Sequence, residues 1–420
     1  MINLRVLATL FIIALYLPAS SVFAFTFNAK KLFLPAAEKI KIVKNVPYIC
    51  QQGRLDCGYV SCAMLIGHFN KRFDTLSYPK LVFESAGGYG FSYCPGTLVF
   101  PFTGWLDETF YWLSSLYGLA YERIAPASVS NKKEAWNDYI NRVWDYLQKD
   151  IPVQAFRSWS THELDGRMYT PEGLRPFWWE GILKKHRPDK HALVIVGLDR
   201  SRGVVYVNDP GCGWFGTGKA EEIKLSNFRK LTKSLPNDVK YYTRVFYPDR
   251  SAVVDESSKA AMITQRIIKK IEGDPLVYDK ETEHFLYGLK GVTALRYDLE
   301  IDKFSEILKN RLKKDGVLPR EVIGYLSLGL YQYAYITAVT AGYLDAVGNT
   351  VEFEKMSRLH SLYEELYTLN RKLLSIFRPN PDFEEAIIRS GPVLEELRMS
   401  LSELKSFFEG YLIELVIQGS

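Results

Sequence analysis

Gln51-Gln52-Gly53-Arg54-Leu55-Asp56-Cys57-Gly58, running straight into Tyr59-Val60-Ser61-Cys62-Ala63-Met64-Leu65, is the stretch on which the reading of this chain turns. From Cys57 to about Phe69 the residues predict a helix, with Asp56 near its start and Ala63, Met64 and Leu65 directed inward. A thiol at the first turn of a helix is favoured as thiolate, because the helix dipole stabilises negative charge there. Gln51, six residues before the cysteine (57 − 51 = 6), can aim an amide N–H at a developing oxyanion, with the backbone N–H of Cys57 as second donor. Gly58 leaves out a Cβ beside the sulfur, so a substrate backbone can approach. A buried structural cysteine that happens to follow a glutamine is the competing reading, and a second half of the site has to decide.

That half lies far along the chain. Lys190-His191-Ala192-Leu193-Val194-Ile195-Val196-Gly197 puts a histidine at the mouth of an apolar strand, and Val204-Val205-Tyr206-Val207-Asn208-Asp209-Pro210 reads as the next strand. Asp199-Arg200-Ser201-Arg202-Gly203 between them is a hairpin connection. Antiparallel strands joined there bring their outer ends together, so His191 and Asp209 are expected side by side. A base that takes a thiol proton needs a group to hold its ring, and an adjacent Asp does so. Asn208, one position earlier, points to the other face, since side chains alternate along a strand.

Helices are expected at about 106–118 and 132–148, and a loop over 84–104, which is rich in Gly, Ser, Pro and aromatics. Strands are expected at 151–156, 192–198, 204–208 and 241–246. Helices followed by an antiparallel sheet make an α+β layout, with Pro248 and Asp249 at its end. Beyond residue 250, Met356, Leu359, Leu362, Leu366, Leu369 and Leu373 repeat at helical spacing, as do Leu394, Leu397, Leu401, Leu404 and Phe408. Val322–Leu344 has no charged residue, which raises a membrane span, but its Ser, Thr, Gln, Gly and Tyr content favours the buried central helix of an all-α domain.

The run from Val46-Pro47 through Gln51 to Asp56-Cys57-Gly58, with His191 before an apolar strand and Asn208-Asp209-Pro210 after it, resembles the C39 and C39-like peptidases. The resemblance spans roughly residues 44–248. It implies a papain-like fold with Cys57 as nucleophile, His191 as general base and then acid, Asp209 as the orienting group and Gln51 as oxyanion donor. It also implies a peptide or protein substrate and no cofactor or metal. The interval between Cys57 and His191 (191 − 57 = 134) is longer than in compact bacteriocin-processing members, so insertions are expected. The same segment is similar to the N-terminal domain of acyltransferases from aminoglycoside biosynthesis. The expectation is therefore a Cys-His-Asp hydrolase of amide bonds; the alternatives are an acyltransferase using the same acyl-enzyme, and a non-catalytic binding module that keeps the fold.

The 420 residues suit two domains, divided here as 25–250 and 251–420 after a signal peptide at 1–24. That leader is read from Arg5, the apolar run Val6–Leu17 and the small residues before Ala24, and it predicts a secreted or cell-envelope protein. Membrane contact follows only if this segment stays uncleaved. A net charge of +5 with no Lys/Arg block excludes an electrostatic nucleic-acid surface. Export makes disulfides possible, and an odd set of five cysteines (Cys50, Cys57, Cys62, Cys94 and Cys212) leaves at least one thiol, expected at Cys57. His162 is expected on a surface loop, Trp178-Trp179 in packing, and His68, His186, His284 and His360 as ordinary residues. No Cys-x-x-Cys or His-x-x-x-His spacing suggests a metal, and no glycine-rich loop a nucleotide.

Overall fold

A computed structural model of the chain describes residues 39–50, 57–70, 77–98, 106–126, 132–158, 190–211, 218–233, 240–249, 254–273, 286–378 and 382–419. Lys41–Ser420 form one compact unit. Its first part runs β1 (Ile40–Ile42), α1 (Cys57–Phe69), α2 (Ser77–Glu84), a short 3-10 turn (Gly87–Tyr89), β2 (Ser92–Tyr93), α3 (Leu106–Leu116), β3 (Leu119–Ile124) and α4 (Lys132–Gln148). Then come β4 (Val153–Ser158), β5 (Lys190–Asp199), β6 (Val204–Asn208), β7 (Glu221–Lys224), α5 (Leu225–Lys233) and β8 (Thr243–Pro248). The second part is helical apart from β9 (Leu286–Tyr287): α6 (Glu256–Glu272), α7 (Gly288–Asp298), α8 (Ile301–Asp315), α9 (Pro319–Ala346), α10 (Thr350–Phe377) and α11 (Phe383–Gly419). This is the α+β layout of a papain-like domain followed by a helical region.

The main sheet has the order β3-β8-β4-β5-β6-β7, with these neighbours antiparallel, and β1 lies on β5. Central β5 is an unbroken apolar run because it is buried on both faces. Val194 and Val196 pack toward α1, among Val60, Met64 and Leu65. Leu193 and Ile195 pack toward α4, among Trp136, Tyr139 and Val143. Helix α1 is itself enclosed: every residue from Gly58 to Ile66 is buried. Each such large apolar side chain contributes roughly 1.5–3 kcal/mol of transfer free energy, and together they clamp the start of α1 against the mouth of β5. The register between β5 and β6 slips between Ile195 and Gly197. A Cβ at Gly197 would stand 3.0 Å from the Lys41 carbonyl oxygen and from Ile42, so glycine is what lets the entry segment lie this close.

Four expectations shift. The strand expected at 151–156 is found at Val153–Ser158, because Asp150 takes a left-handed turn (φ 58) and Ile151 N–H closes α4 by donating to the Tyr146 carbonyl. The one expected at 241–246 is found at Thr243–Pro248, since Tyr241 sits at φ 61, outside strand geometry. Helix α3, expected to about residue 118, ends at Leu116, and the chain turns through Gly118 (φ 64) into β3, a strand not among those expected. Within the 84–104 segment expected as loop, the 3-10 turn and β2 are packed structure: Ala86, Tyr89, Phe91, Tyr93 and Leu98 are buried in the core of the helical region, and β2 pairs with β9.

The two helical repeats read from the sequence line one core, where Met356, Leu359, Leu373, Leu397, Leu401 and Phe408 are buried together. Val322–Leu344 lies in α9, with Val322, Ile323, Leu326, Leu330, Ala334 and Thr337 buried. Among the described residues no helix is long and apolar enough to cross a membrane. A buried ionic cluster ties α6 to α2 and to the turn after α3: Lys259 Nζ is 2.8 Å from Glu84 Oε1, and the hydroxyl of Tyr117 donates to Glu84 Oε2 at 2.6 Å.

Candidate active site

Cys57 is the first residue of α1, half-buried, and packs against Phe156 and Ala192. Its Sγ accepts the backbone N–H of Ala192 at 3.5 Å. The thiol therefore sits at the positive end of a helix dipole and beside the residue that follows His191, with an amide N–H directed at the sulfur.

His191 is wholly buried at the mouth of β5. Its Nε2 is 2.6 Å from Asp209 Oδ1. The same oxygen accepts the Gly211 N–H at 2.8 Å, and Oδ2 accepts from Arg157 Nη2 at 2.6 Å. The backbone of Asp209 is held too: its N–H donates to the Gly218 carbonyl at 2.7 Å, and its carbonyl accepts from the Tyr48 hydroxyl at 3.2 Å. Burial alone would push the Asp209 carboxyl up, but the charges of His191 and Arg157, with hydrogen bonds from His191 and Gly211, outweigh it and hold the group well below the usual carboxylate range. Asp209 is ionised and fixed in one rotamer.

Burial pushes His191 down, the Asp209 charge and hydrogen bond push it back up, and Arg157 pushes it down again; the balance lies below the ordinary histidine value. The imidazole is thus neutral at neutral pH. An ionised Asp209 can only accept, so Nε2 carries the proton and Nδ1 is the basic nitrogen. Two further groups ring the carboxylate. The Tyr48 hydroxyl is raised to about 12 by burial and by the charges of Asp209 and Glu221. Glu221, on β7, is raised by burial and then by Asp209, with Arg157 opposing.

Asp209, not Asn208, meets the histidine. Asn208 is occupied elsewhere: its Oδ1 accepts the Ala220 N–H at 2.9 Å and its Nδ2 donates to the Pro47 carbonyl at 3.4 Å. Gln51, Gln52, Asp56, Cys212, His162, His186, His284, Trp178 and Trp179, with the leader at 1–24, lie outside the described residues. His68 Nε2 is 2.8 Å from the Asp150 carbonyl oxygen and His360 Nδ1 is 2.9 Å from that of Ala334, so both serve packing. Cys57, Cys62 and Cys94 are thiols, while Cys50 is disulfide-bonded. Burial raises the Cys62 thiol well above its ordinary value, which makes it inert.

Arg157, Gly211, Tyr48 and Glu221 were not singled out in the sequence. Arg157 had a signal available: it ends an apolar strand and stands opposite His191 in the β4–β5 ladder. Gly211 completes Asp209-Pro210-Gly211, and a Cβ there would come within 3.2 Å of Asp209 Oδ1.

No curated protein matches the chain. The family model described as Peptidase C39-like matches residues 43–235, a span that holds α1, β5 and β6 and with them Cys57, His191 and Asp209. Over those residues, somewhat under half of the chain, the sequence is similar to the Peptidase C39-like family.

Proposed function

We propose that the protein is an exported cysteine peptidase working through Cys57, His191 and Asp209, with Gln51 as oxyanion donor. The observation that carries this reading is the neutral, buried His191, clamped through Nε2 to an ionised Asp209 at 2.6 Å, at the strand mouth where Ala192 N–H meets the Cys57 sulfur. The match to the Peptidase C39-like family model supports the coarser part, cysteine-peptidase chemistry. Export is supported by the leader pattern and by a disulfide at Cys50, since such bridges persist in oxidising compartments.

In this mechanism Nδ1 of His191 takes the Cys57 proton as the sulfur attacks the substrate carbonyl carbon. The carbonyl oxygen becomes an oxyanion, bound by the Cys57 N–H and the Gln51 amide. The C–N bond then breaks, and the leaving amine takes the proton from the imidazolium. Water, deprotonated by the same nitrogen, attacks the thioester, releases the acid and returns the proton to sulfur. Asp209 stays ionised throughout and orients the ring.

The test is labelling by a thiol-directed acyl probe, followed by product analysis with peptide substrates in water and with added amine. Wild-type protein should label at Cys57 and release a free acid, and Cys57→Ala should be folded, unlabelled and inactive. An amide product formed from the added amine would reassign the chemistry to acyl transfer. Full activity in Cys57→Ala would end the reading.

A further inference from the structure

Arg157 is a buried cation on β4, 8% exposed at its side chain, facing a carboxylate that is 2% exposed. It stands directly across the ladder from His191 and binds Asp209 through the oxygen that His191 does not use. We propose that Arg157 is a positioning residue of this site: gripping the second oxygen of Asp209, it fixes the carboxylate plane against the imidazole and offsets the carboxylate's charge, so that His191 is not locked in its protonated form and stays able to take the Cys57 proton. The inference rests on the peptidase reading above and deepens it.

The physical argument concerns what an unbalanced Asp209 would do. A buried carboxylate 2.6 Å from an imidazole stabilises the protonated ring strongly, because the surroundings screen poorly. A histidine kept protonated holds its proton too firmly to act as a base toward the thiol. Arg157 contributes a compensating positive charge on the far oxygen, and its planar head sets the carboxylate's rotation, as a point-charge ammonium does less well. Among the described residues, the titratable groups placed around the ring are Cys57 from α1, Arg157 from β4, Asp209 after β6, Glu221 from β7, and Tyr48 from the entry segment. Tyr48 is neutral at physiological pH, Glu221 interacts with both Asp209 and Arg157, and among the described residues Arg157 is the cation whose charge acts on His191.

The experiment is NMR titration of the His191 imidazole in the full chain, assigned with His191→Gln, for wild type, Arg157→Met, Arg157→Gln and Arg157→Lys. Both neutral variants should raise the His191 midpoint by about one pH unit or more, and Arg157→Lys should stay close to wild type. Arg157→Gln keeps a hydrogen-bond donor for Asp209 and decides the matter if Arg157→Met does not fold. An unchanged or lowered midpoint in a folded neutral variant overturns the proposal. Alkylation of Cys57 by iodoacetamide across pH separates this from the peptidase reading. If Cys57 alkylates as an ordinary thiol and ignores His191→Gln, the peptidase reading falls while the Arg157 effect on His191 still stands or falls on the titration.

Discussion

Gly211 lies flat against the His191 ring: a Cβ at residue 211 would stand 3.6 Å from both Cε1 and Nε2, and 3.2 Å from Asp209 Oδ1. The backbone therefore forms one wall of the imidazole's slot, and its N–H shares the oxygen that the histidine uses. A methyl placed there must displace the Asp209 carboxylate by a few tenths of an ångström, and with it the hydrogen bond that holds the ring. Gly211→Ala is expected to lower turnover by roughly tenfold, since small displacements of reacting groups are costly. The unfolding midpoint should change little. A steady-state comparison with a denaturant curve on the same sample checks both.

Gln51→Ala should leave alkylation of Cys57 intact and reduce turnover by about 10²-fold, the scale for losing one oxyanion donor. Parallel loss of alkylation and turnover would instead make Gln51 a support for the start of α1. Gln52→Ala, measured alongside, separates the two amides.

The cysteine count leaves one partner within the chain for the Cys50 bridge. Of five cysteines, Cys57, Cys62 and Cys94 are thiols and Cys50 is bridged, so within the chain Cys212 is the remaining candidate for the other end. The neighbouring residues agree, since Tyr48 bonds Asp209 and Pro47 accepts from Asn208. Peptide mapping without reduction should find Cys50 linked to Cys212 and alkylated Cys57. Reduction should cost roughly 2–4 kcal/mol of stability. A map with Cys57 in the bridge would contradict the nucleophile assignment.

Acid should unfold the protein in two stages. His191 is depressed in the fold, so the unfolded chain binds its proton first, and stability declines as pH falls below about 6.5. Asp209 is also depressed, so its contribution is present above about pH 3.9 and is lost as pH falls past that value. Urea denaturation at stepped pH should show both declines, and His191→Gln should flatten the upper one and weaken the lower, since the His191 charge helps hold Asp209 down.

Lys259→Met probes the junction between α2 and α6. It leaves Glu84, buried with a side-chain exposure of 4%, without its closest cation. Removing one member of a buried pair costs about 3–5 kcal/mol, and the loss should appear in one cooperative transition rather than in the helical part alone. Denaturation followed separately by tryptophan fluorescence and by far-ultraviolet dichroism would reveal whether the two curves coincide.

The site was legible in proportion to how much of it is carried by local pattern. Cys57 at a helix start and His191 at the mouth of an apolar strand are visible because helix and strand periodicities are local. Asp209 followed from the hairpin, since an antiparallel turn fixes which ends meet. Arg157 was not visible, because its role depends on the β4–β5 register, a pairing between positions 34 residues apart (191 − 157 = 34). The same holds for the strands β3 and β7. Leu119–Ile124 shows no clean alternation of buried and exposed residues, and Glu221–Lys224 is a mostly polar strand whose single buried side chain, Ile223, gives too weak an alternation. Residues 84–104 read as loop because Gly, Ser and Pro dominate locally, whereas their aromatics find partners two hundred residues away.

That last feature bears on how the chain is made. Phe91 stacks on Tyr333, Ser92 bonds the Tyr333 hydroxyl, Tyr93 donates to Asp298, and Tyr89 stacks on Tyr411. A ribosome adding roughly 5–20 residues per second exposes this aromatic segment well before any of those companions exist. The sheet that carries His191 and Asp209 can form once residue 248 has emerged, yet the stretch between α2 and α3 must wait, apolar and unshielded, until the final helix arrives. The early half of the protein is thus completed by the late half, and a nascent chain halted near residue 250 would offer that segment to chaperones rather than bury it.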